Sequence, residues 1–119
     1  MVRILCVDDE ENSLKLRKLV LEKQGYEVVT ATSAKQALDV LTTCNINLVL
    51  SDQLMPGGTG TELAKAIKST RPHLPVVLIS GVNEIPADAA HADLFLSKVE
   101  GPLSMCKKIA DILSQQSLP

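Results

Sequence analysis

Short apolar runs alternate with helical patterns along the whole chain, and this alternation limits the fold more than any other feature of the sequence. The apolar runs cover residues 2–7, 27–31, 46–51, 74–80 and 93–98. Runs of this length between turn residues are typical of strands, and the fourth is apolar enough for a central strand that is covered on both faces. A strand–helix unit repeated about five times predicts a parallel sheet with helices on both faces.

Four of the remaining segments carry apolar residues three and four positions apart, which predicts helices. They cover residues 12–25, 33–43, 60–70 and 102–116. We expect Gly25 to end the first helix as its C′ residue and Ser33 to cap the second. Pro102 suits the first turn of the last helix, because its missing N–H is not needed there.

The apolar residues of the first and last helices form stripes. In the first helix we expect the buried stripe to consist of Leu16, Leu19 and Val20, flanked by Leu14 and Leu21. The last helix carries two stripes, Leu103, Cys106, Ala110 and Leu113 on one side and Met105, Ile109 and Ile112 on the other. One stripe packs on the sheet, and the second either completes the core or contacts a partner.

Length and composition narrow the class of protein. The chain has 119 residues and a formal net charge of -2, so we expect one domain over residues 1–119 and no effector domain. No basic block is present, which argues against direct nucleic-acid binding. No apolar stretch is long enough to span a bilayer and no signal peptide precedes the first strand, so we expect a cytoplasmic protein that does not contact the membrane. The cysteines Cys6, Cys44 and Cys106 lack metal-site spacing, and we interpret them as reduced residues in or near the core.

Polar residues with distinctive chemistry stand at the carboxyl ends of four of the predicted strands. Asp8 and Asp9 directly follow strand one, Asp52 directly follows strand three, and Ser80 and Lys98 are the last residues of strands four and five. The carboxyl ends of parallel strands meet at one edge of the sheet, where ligands of open α/β sheets bind. Each residue alone could be an ordinary turn or cap residue. Their joint occurrence at one edge favours a functional site.

Three carboxylates at one edge would repel each other unless a cation binds between them. Magnesium prefers oxygen ligands and commonly joins carboxylates to a phosphate, whereas zinc would require the His or Cys residues that this edge lacks. The ammonium of Lys98 and a divalent cation would make the site locally positive, which suits a negatively charged phosphoryl group on one of the carboxylates. The hydroxyl of Ser80 could donate a hydrogen bond to that phosphoryl group. Aspartate is an established covalent phosphoryl acceptor.

These residues, together with the segment SDQLMPGGTGTEL at 51–63, resemble the receiver domain of bacterial two-component response regulators. The resemblance covers the chain from Arg3 to about residue 113. It implies a flavodoxin-like, doubly wound (βα)5 fold with strand order 2-1-3-4-5. It also implies that a histidine kinase or a phosphotransfer protein phosphorylates Asp52.

The resemblance further assigns a role to each site residue. Magnesium, with manganese as a substitute, would be held by Asp9, Asp52 and the backbone carbonyl of Leu54, and by Asp8 through a bound water. Ser80 would close on the phosphoryl group, and Phe95 would be the aromatic switch residue. Phosphorylation would then change the surface of the fourth helix, fifth strand and last helix, which contacts an effector protein or fused domain and could also form a homodimer.

Two features depart from the family pattern. Val99 stands where the family usually has a proline after the lysine. A cis peptide without proline costs about 2.5–4 kcal/mol, so we expect a trans Lys98–Val99 bond and a reshaped loop over 99–102 in preference to a strained cis bond. The segment between Ser80 and Lys98 is also shorter than usual, so the fourth helix is expected to be short or irregular.

Two other functions remain open from the sequence. One is a pseudo-receiver, an interaction module that works without phosphorylation, which the complete set of acids, hydroxyl and lysine disfavours. The other is an aspartyl-phosphate phosphohydrolase acting on small molecules. Such enzymes usually place two acids two residues apart and carry a cap for the substrate, and this sequence has neither. We therefore expect a signalling domain and not an enzyme, beyond its own phosphotransfer and dephosphorylation.

Overall fold

The computed structural model describes residues 1–55, 58–81 and 92–116. Most of the segment expected to contain a short or irregular fourth helix lies outside these residues. In the described part of the chain, the main sheet is formed by β1 (Arg3–Val7), β2 (Glu27–Ala31), β3 (Leu48–Asp52), β6 (Val76–Ser80) and β7 (Leu94–Ser97). A small antiparallel pair, β4 (Leu54–Met55) and β5 (Gly58–Thr59), follows β3.

The described helices are α1 (Glu11–Lys23), α2 (Ala34–Thr43), α3 (Gly60–Thr70) and α4 (Pro102–Gln116). Gly25 follows α1 with a φ of 92°, which confirms its predicted place as the C′ residue. The hydroxyl of Ser33 accepts a 3.1 Å hydrogen bond from the backbone N–H of Gln36, so the predicted cap of α2 is also confirmed. None of the described helices is long and apolar enough to cross a membrane.

The five strands of the main sheet are parallel and lie in the order β2-β1-β3-β6-β7. These are the five predicted strands in the predicted order, since β4 and β5 belong to the small separate pair. The doubly wound, flavodoxin-like fold is therefore confirmed. The register aligns the strand ends: Val7 pairs with Ser51, Asp52 with Ile79, and Ser80 with Ser97. All four strand exits consequently reach the same edge of the sheet.

The core consists of two aliphatic clusters, one on each face of the sheet. Alternate residues of β1 show the division, because Ile4 and Cys6 belong to one cluster while Leu5 and Val7 belong to the other. All four of these side chains are fully buried, as a central parallel strand requires. From α4, Met105, Cys106 and Ile109 enter the first cluster, whereas Leu103 remains 83% exposed.

The predicted buried stripe of α1 is wrong. Leu14 and Leu21 face the core, while Leu16 and Leu19 are 65% and 55% exposed and Val20 is half-buried. The reason is geometric: positions 14 and 21 lie one above the other on one side of a helix with 3.6 residues per turn, and positions 16 and 19 point away from that side. Apolar residues surround most of this helix, so their spacing alone did not identify the inward face.

Candidate functional site

Three carboxylates meet at the carboxyl edge of the sheet. Asp8 and Asp9 follow β1 and Asp52 ends β3, and these two strands are direct neighbours in the sheet. One oxygen from each residue lies within 4.8 Å of the others. Asp8 and Asp52 are buried, while Asp9 is exposed to solvent. The sequence analysis expected this group of acids, and a cluster of three carboxylate oxygens is the donor set that a hard divalent cation prefers.

Lys98 reaches this cluster from two strands away. Its Nζ lies 3.4 Å from Oδ1 of Asp52, and its side chain is 42% exposed. The backbone N–H of Lys98 donates a 2.9 Å hydrogen bond to the carbonyl of Ser80, which anchors the end of β7 to β6. Ser80 itself is 2% exposed at the end of β6. The five polar residues predicted to converge therefore do lie at one edge.

Asp52 is the less satisfied of the two buried acids. Its side chain is 8% exposed, and within the described residues its buried Oδ1 accepts no hydrogen bond, although the Lys98 ammonium is close. Burial raises the pKa of this carboxyl above its ordinary value, the Lys98 charge opposes that rise, and the Asp8 charge adds to it. A cation or a transferred group at this oxygen would relieve the cost of its burial. The site therefore fits a bound divalent cation.

Asp8 is satisfied by partners that Asp52 lacks. Its Oδ1 accepts a 2.9 Å hydrogen bond from the backbone N–H of Glu10. Its Oδ2 accepts one of 2.7 Å from Nη1 of Arg17, and the Arg17 side chain is only 17% exposed. The sequence analysis missed Arg17. The signal was its place on α1, three residues after Leu14 and four before Leu21, which puts a cation on the inward face.

The loop after Asp52 is tied to the start of α3 by Gln53. This buried side chain accepts 2.9 Å hydrogen bonds from both the backbone N–H and the hydroxyl of Thr61. The carbonyl of Gln53 also accepts a 2.7 Å hydrogen bond from the N–H of Gly60. Gln53 was missed because a single Gln in a loop has no distinctive spacing. It fixes the backbone that carries Asp52, which lies directly before it.

The positions of Leu54 and Phe95 are consistent with the roles expected for them, a metal ligand and a switch residue. These positions do not test the two roles. Leu54 pairs with Thr59 in the small sheet, with its side chain half-exposed. Phe95 pairs with Leu78 across β6 and β7 and packs, half-buried, against the second core cluster. The metal-ligand role of the Leu54 carbonyl and the switch roles of Ser80 and Phe95 stay predictions.

The loop after Lys98 is held by Glu100. Its carboxylate accepts hydrogen bonds from the N–H of Ser97 at 2.9 Å and the hydroxyl of Ser104 at 2.7 Å, and pairs with the ammonium of Lys108. The bond from Lys108, followed by those from Ser97 and Ser104, lowers the pKa of Glu100 to about 2. No cis peptide occurs in the described residues, so the expected trans Lys98–Val99 bond is confirmed. Glu100, which the sequence analysis missed, organises the reshaped loop.

A cavity of about 450 Å³ opens beside these groups, between α1 and the β7–α4 loop. Among the residues that line it are Asp8, Asp9, Arg17, Asp52, Lys98 and Glu100. The cavity therefore gives an outside molecule access to the acid cluster. The geometry as a whole defines an α/β domain with three clustered carboxylates and a lysine at the carboxyl edge of its sheet, beside an open cavity.

Comparison with known proteins identifies the family to which this α/β domain belongs. The model of the response regulator receiver domain family matches residues 4–110, and the chain belongs to this family. It is 34% identical over 118 residues to the transcriptional regulatory protein GlrR of Escherichia coli K12, which covers 96% of this chain and 27% of GlrR. It is 27% identical over 120 residues to PhoP, the alkaline phosphatase synthesis regulator of Bacillus subtilis, which covers 98% of this chain and 50% of PhoP. The chain thus spans between about a quarter and a half of these two relatives.

Solved structures give the same result. The response regulator TrrA of Thermotoga maritima, in complex with Mg(2+)-BeF, superposes with a TM-score of 0.89 at 31% identity, covering 94% of this chain and 99% of TrrA. A CheY-like receiver domain protein from Methanospirillum hungatei superposes with a TM-score of 0.90 at 30% identity, covering 98% and 96% of the two chains. This chain is a receiver domain of two-component signal transduction, and neither the pseudo-receiver nor the phosphohydrolase alternative is favoured.

Proposed function

We propose that Asp52 accepts a phosphoryl group from a phosphohistidine on a histidine kinase or a phosphotransfer protein. The observation that carries this proposal is the state of the Asp52 carboxylate: it is buried, its Oδ1 accepts no hydrogen bond from the described residues, and Lys98 lies 3.4 Å away. An acid used only to support the fold would be expected to have its hydrogen bonds completed, as those of Asp8 are.

Asp8, Asp9, Asp52 and the backbone carbonyl of Leu54 are the groups that we propose to hold Mg²⁺, with Mn²⁺ as a substitute. Their support is the spacing of the three carboxylate oxygens and the solved TrrA complex with Mg(2+)-BeF. When bound, the cation neutralises the charge that the phosphoryl oxygens bring to a site already rich in carboxylates. This ligand set is hard and oxygen-based, as magnesium requires.

The chain's own residues have separate tasks in the transfer. An oxygen of Asp52 forms the new bond to phosphorus while the phosphorus–nitrogen bond of the phosphohistidine breaks, and the electron pair of that bond stays with the imidazole. Lys98 supplies a positive charge beside the oxygen that attacks. Ser80, at the end of the neighbouring strand, donates a hydrogen bond to the phosphoryl group once it is in place.

The added phosphoryl group carries a charge of about -1.5 to -2, and this charge is the change to which the domain responds. We propose that Ser80 moves toward it, that Phe95 turns into the space released, and that the outer surface of β7, α4 and the segment before β7 changes as a result. The half-buried position of Phe95 beside β6 supports such a rotation. The phosphoryl group shifts this equilibrium by the difference in its contacts between the two conformations.

The receiver unit over residues 1–119 would signal through this surface to a downstream effector protein or a fused domain, or by forming a homodimer. Because the chain spans only part of the relatives it matches, the whole protein's output belongs to this proposal. We further propose that the only reactions that the receiver unit catalyses are its own phosphorylation and dephosphorylation. A cytoplasmic location stays a prediction.

The experiment is labelling with a small phosphodonor such as acetyl phosphate, with and without Mg²⁺. Wild-type protein should gain an acid-stable, base-labile label only when the metal is present. Asp52→Asn should abolish the label, and Lys98→Met should slow labelling by at least about tenfold. Asp39→Asn and Lys107→Met change exposed residues on α2 and α4 and serve as charge-matched controls. Labelling of Asp52→Asn at the wild-type rate would refute the assignment.

A further inference from the structure

Arg17 occupies a position on α1 where the fold otherwise buries leucine. Leu14 and Leu21, one turn away on either side, are 5% and 0% exposed. The Arg17 stem must therefore run along the buried face of the helix, with its guanidinium at the edge of the sheet. Burial of a charge on this face is costly unless a partner compensates it. Asp8 is that partner, with 2.7 Å between Nη1 and Oδ2 and both side chains largely shielded from water.

The pair lies inside the acid cluster. Asp8 contributes one of the three clustered oxygens, and Arg17 lines the same cavity as Asp9 and Asp52. The charge of Arg17 also reaches Asp52, where it opposes the rise in pKa that burial causes. With Lys98 included, the three carboxylates and two cations leave the site with a formal charge of -1.

We infer that Arg17 is a built-in counter-cation of the metal site, which holds Asp8 in the metal-free domain and thereby sets a weaker affinity for Mg²⁺. This inference rests on the metal site of the proposed function. Both oxygens of Asp8 already accept a hydrogen bond, and Oδ2 faces a fixed positive charge. A divalent cation must approach against that charge and share the same carboxylate, so the two cations oppose each other.

The coupling is reciprocal. If Arg17 weakens Mg²⁺ binding, bound Mg²⁺ weakens the Arg17–Asp8 pair by the same factor. Arg17 also allows the domain to fold without metal, because it removes the cost of leaving Oδ2 of the buried Asp8 carboxylate without a partner. The domain would then be folded at low magnesium but competent for phosphorylation only when magnesium rises.

Calorimetric titration of the folded chain with Mg²⁺ tests the inference. Arg17→Met, which keeps an unbranched side chain and removes the charge, should bind Mg²⁺ about tenfold more tightly, within the usual range of coupling between two sites. Arg17→Lys should restore an affinity close to wild type. Lys18→Met removes an exposed charge from the same helix and should change the affinity by less than about twofold, since exposed charges are screened.

Stability gives the second measurement. Arg17→Met should melt at a lower temperature than wild type without metal, and Mg²⁺ should raise its melting temperature by more than it raises that of wild type. If the variant does not fold without metal, its refolding on addition of Mg²⁺, followed by circular dichroism, replaces the calorimetric titration. Failure to refold would overturn the inference, because Mg²⁺ would then not replace the guanidinium.

The outcomes separate this inference from the proposed function. Wild-type affinity in Arg17→Met, or weaker binding, would overturn the role of Arg17 while leaving the metal site intact. Absence of Mg²⁺ binding in wild type and in every variant would overturn both. A merely structural ion pair would lower the melting temperature of Arg17→Met equally with and without Mg²⁺, which also contradicts the inference.

Discussion

Gly60 lies in direct backbone contact with Asp52. A β-carbon at Gly60 would be 2.6 Å from the Asp52 carbonyl oxygen and 2.8 Å from a methyl group of Leu78. The N–H of Gly60 also donates a 2.7 Å hydrogen bond to the carbonyl of Gln53. The start of α3 is therefore pressed against the end of β3, and only a residue without a side chain allows this approach.

Gly60→Ala should consequently displace α3 or the end of β3. We expect a loss of about 1–3 kcal/mol in the free energy of unfolding, as for other overpacked sites, and slower phosphorylation of Asp52. Urea unfolding and acetyl phosphate labelling measure the two effects. Gly58→Ala, two residues earlier in β5 and with no described atom within 4 Å of the added carbon, is the matched control. Equal stability of the two variants would contradict the close approach.

Asp52→Asn should stabilise the metal-free domain at neutral pH. Burial raises the pKa of Asp52, so the stabilisation from its protonated form is present below the ordinary value and is lost as pH rises through the raised value in the folded state. At pH 7 the carboxylate is charged and costs stability, and the neutral amide avoids that cost. We expect a higher melting temperature for the variant at pH 7, and a smaller difference below the ordinary pKa.

Thermal melts in buffer with a metal chelator test this prediction, and a less stable Asn variant at pH 7 would contradict it. Addition of Mg²⁺ should reverse the order, because wild type keeps the carboxylate of Asp52 as a ligand and the variant does not.

Glu100→Gln should lower stability in a pH-dependent manner. The folded-state pKa of Glu100 is about 2, below its ordinary value of 4.5. Its charged form therefore adds stability above pH 4.5, and that contribution is lost as pH falls toward 2. Melting temperatures of wild type and variant should differ at pH 7 and converge as pH falls toward 2. Glu22→Gln changes an exposed residue of α1 and should show no such convergence.

Leu19→Ala and Leu21→Ala distinguish the two sides of α1. Leu21 is fully buried, so its truncation should cost about 2–5 kcal/mol, whereas Leu19 is 55% exposed and its truncation should cost less than about 1 kcal/mol. Chemical denaturation of the two variants gives both values. A larger loss in the free energy of unfolding from Leu19→Ala than from Leu21→Ala would contradict the observed orientation of α1. It would instead support the buried stripe that the apolar spacing predicted.

The sequence was sufficient for those parts of the fold that depend on local chemistry. Ser33 begins α2 and Gly25 follows the end of α1, as expected. Both effects are local, because a capping hydroxyl and a residue with positive φ each influence only the few residues next to them. The strand order and the convergence of Asp8, Asp9, Asp52, Ser80 and Lys98 followed from the family resemblance and from the single edge that parallel strands share.

The parts that failed depend on contacts between distant residues. The inward face of α1 is set by the sheet on which it packs, and five apolar residues on that helix were compatible with several orientations. The partners Arg17, Gln53 and Glu100 are ordinary polar residues in the sequence. Only the folded chain brings Nη1 of Arg17 to 2.7 Å from Oδ2 of Asp8. Only the folded chain likewise places the Glu100 carboxylate where it accepts a hydrogen bond from the N–H of Ser97.

Mapping the phosphorylated residue tests the central claim most directly. Wild-type protein would be phosphorylated in the presence of Mg²⁺, reduced with borohydride to convert the acyl phosphate to a homoserine, digested and sequenced by mass spectrometry. We predict a homoserine at Asp52 and unmodified Asp8 and Asp9. A homoserine at Asp8 or Asp9, or none at any of the three, would contradict the account.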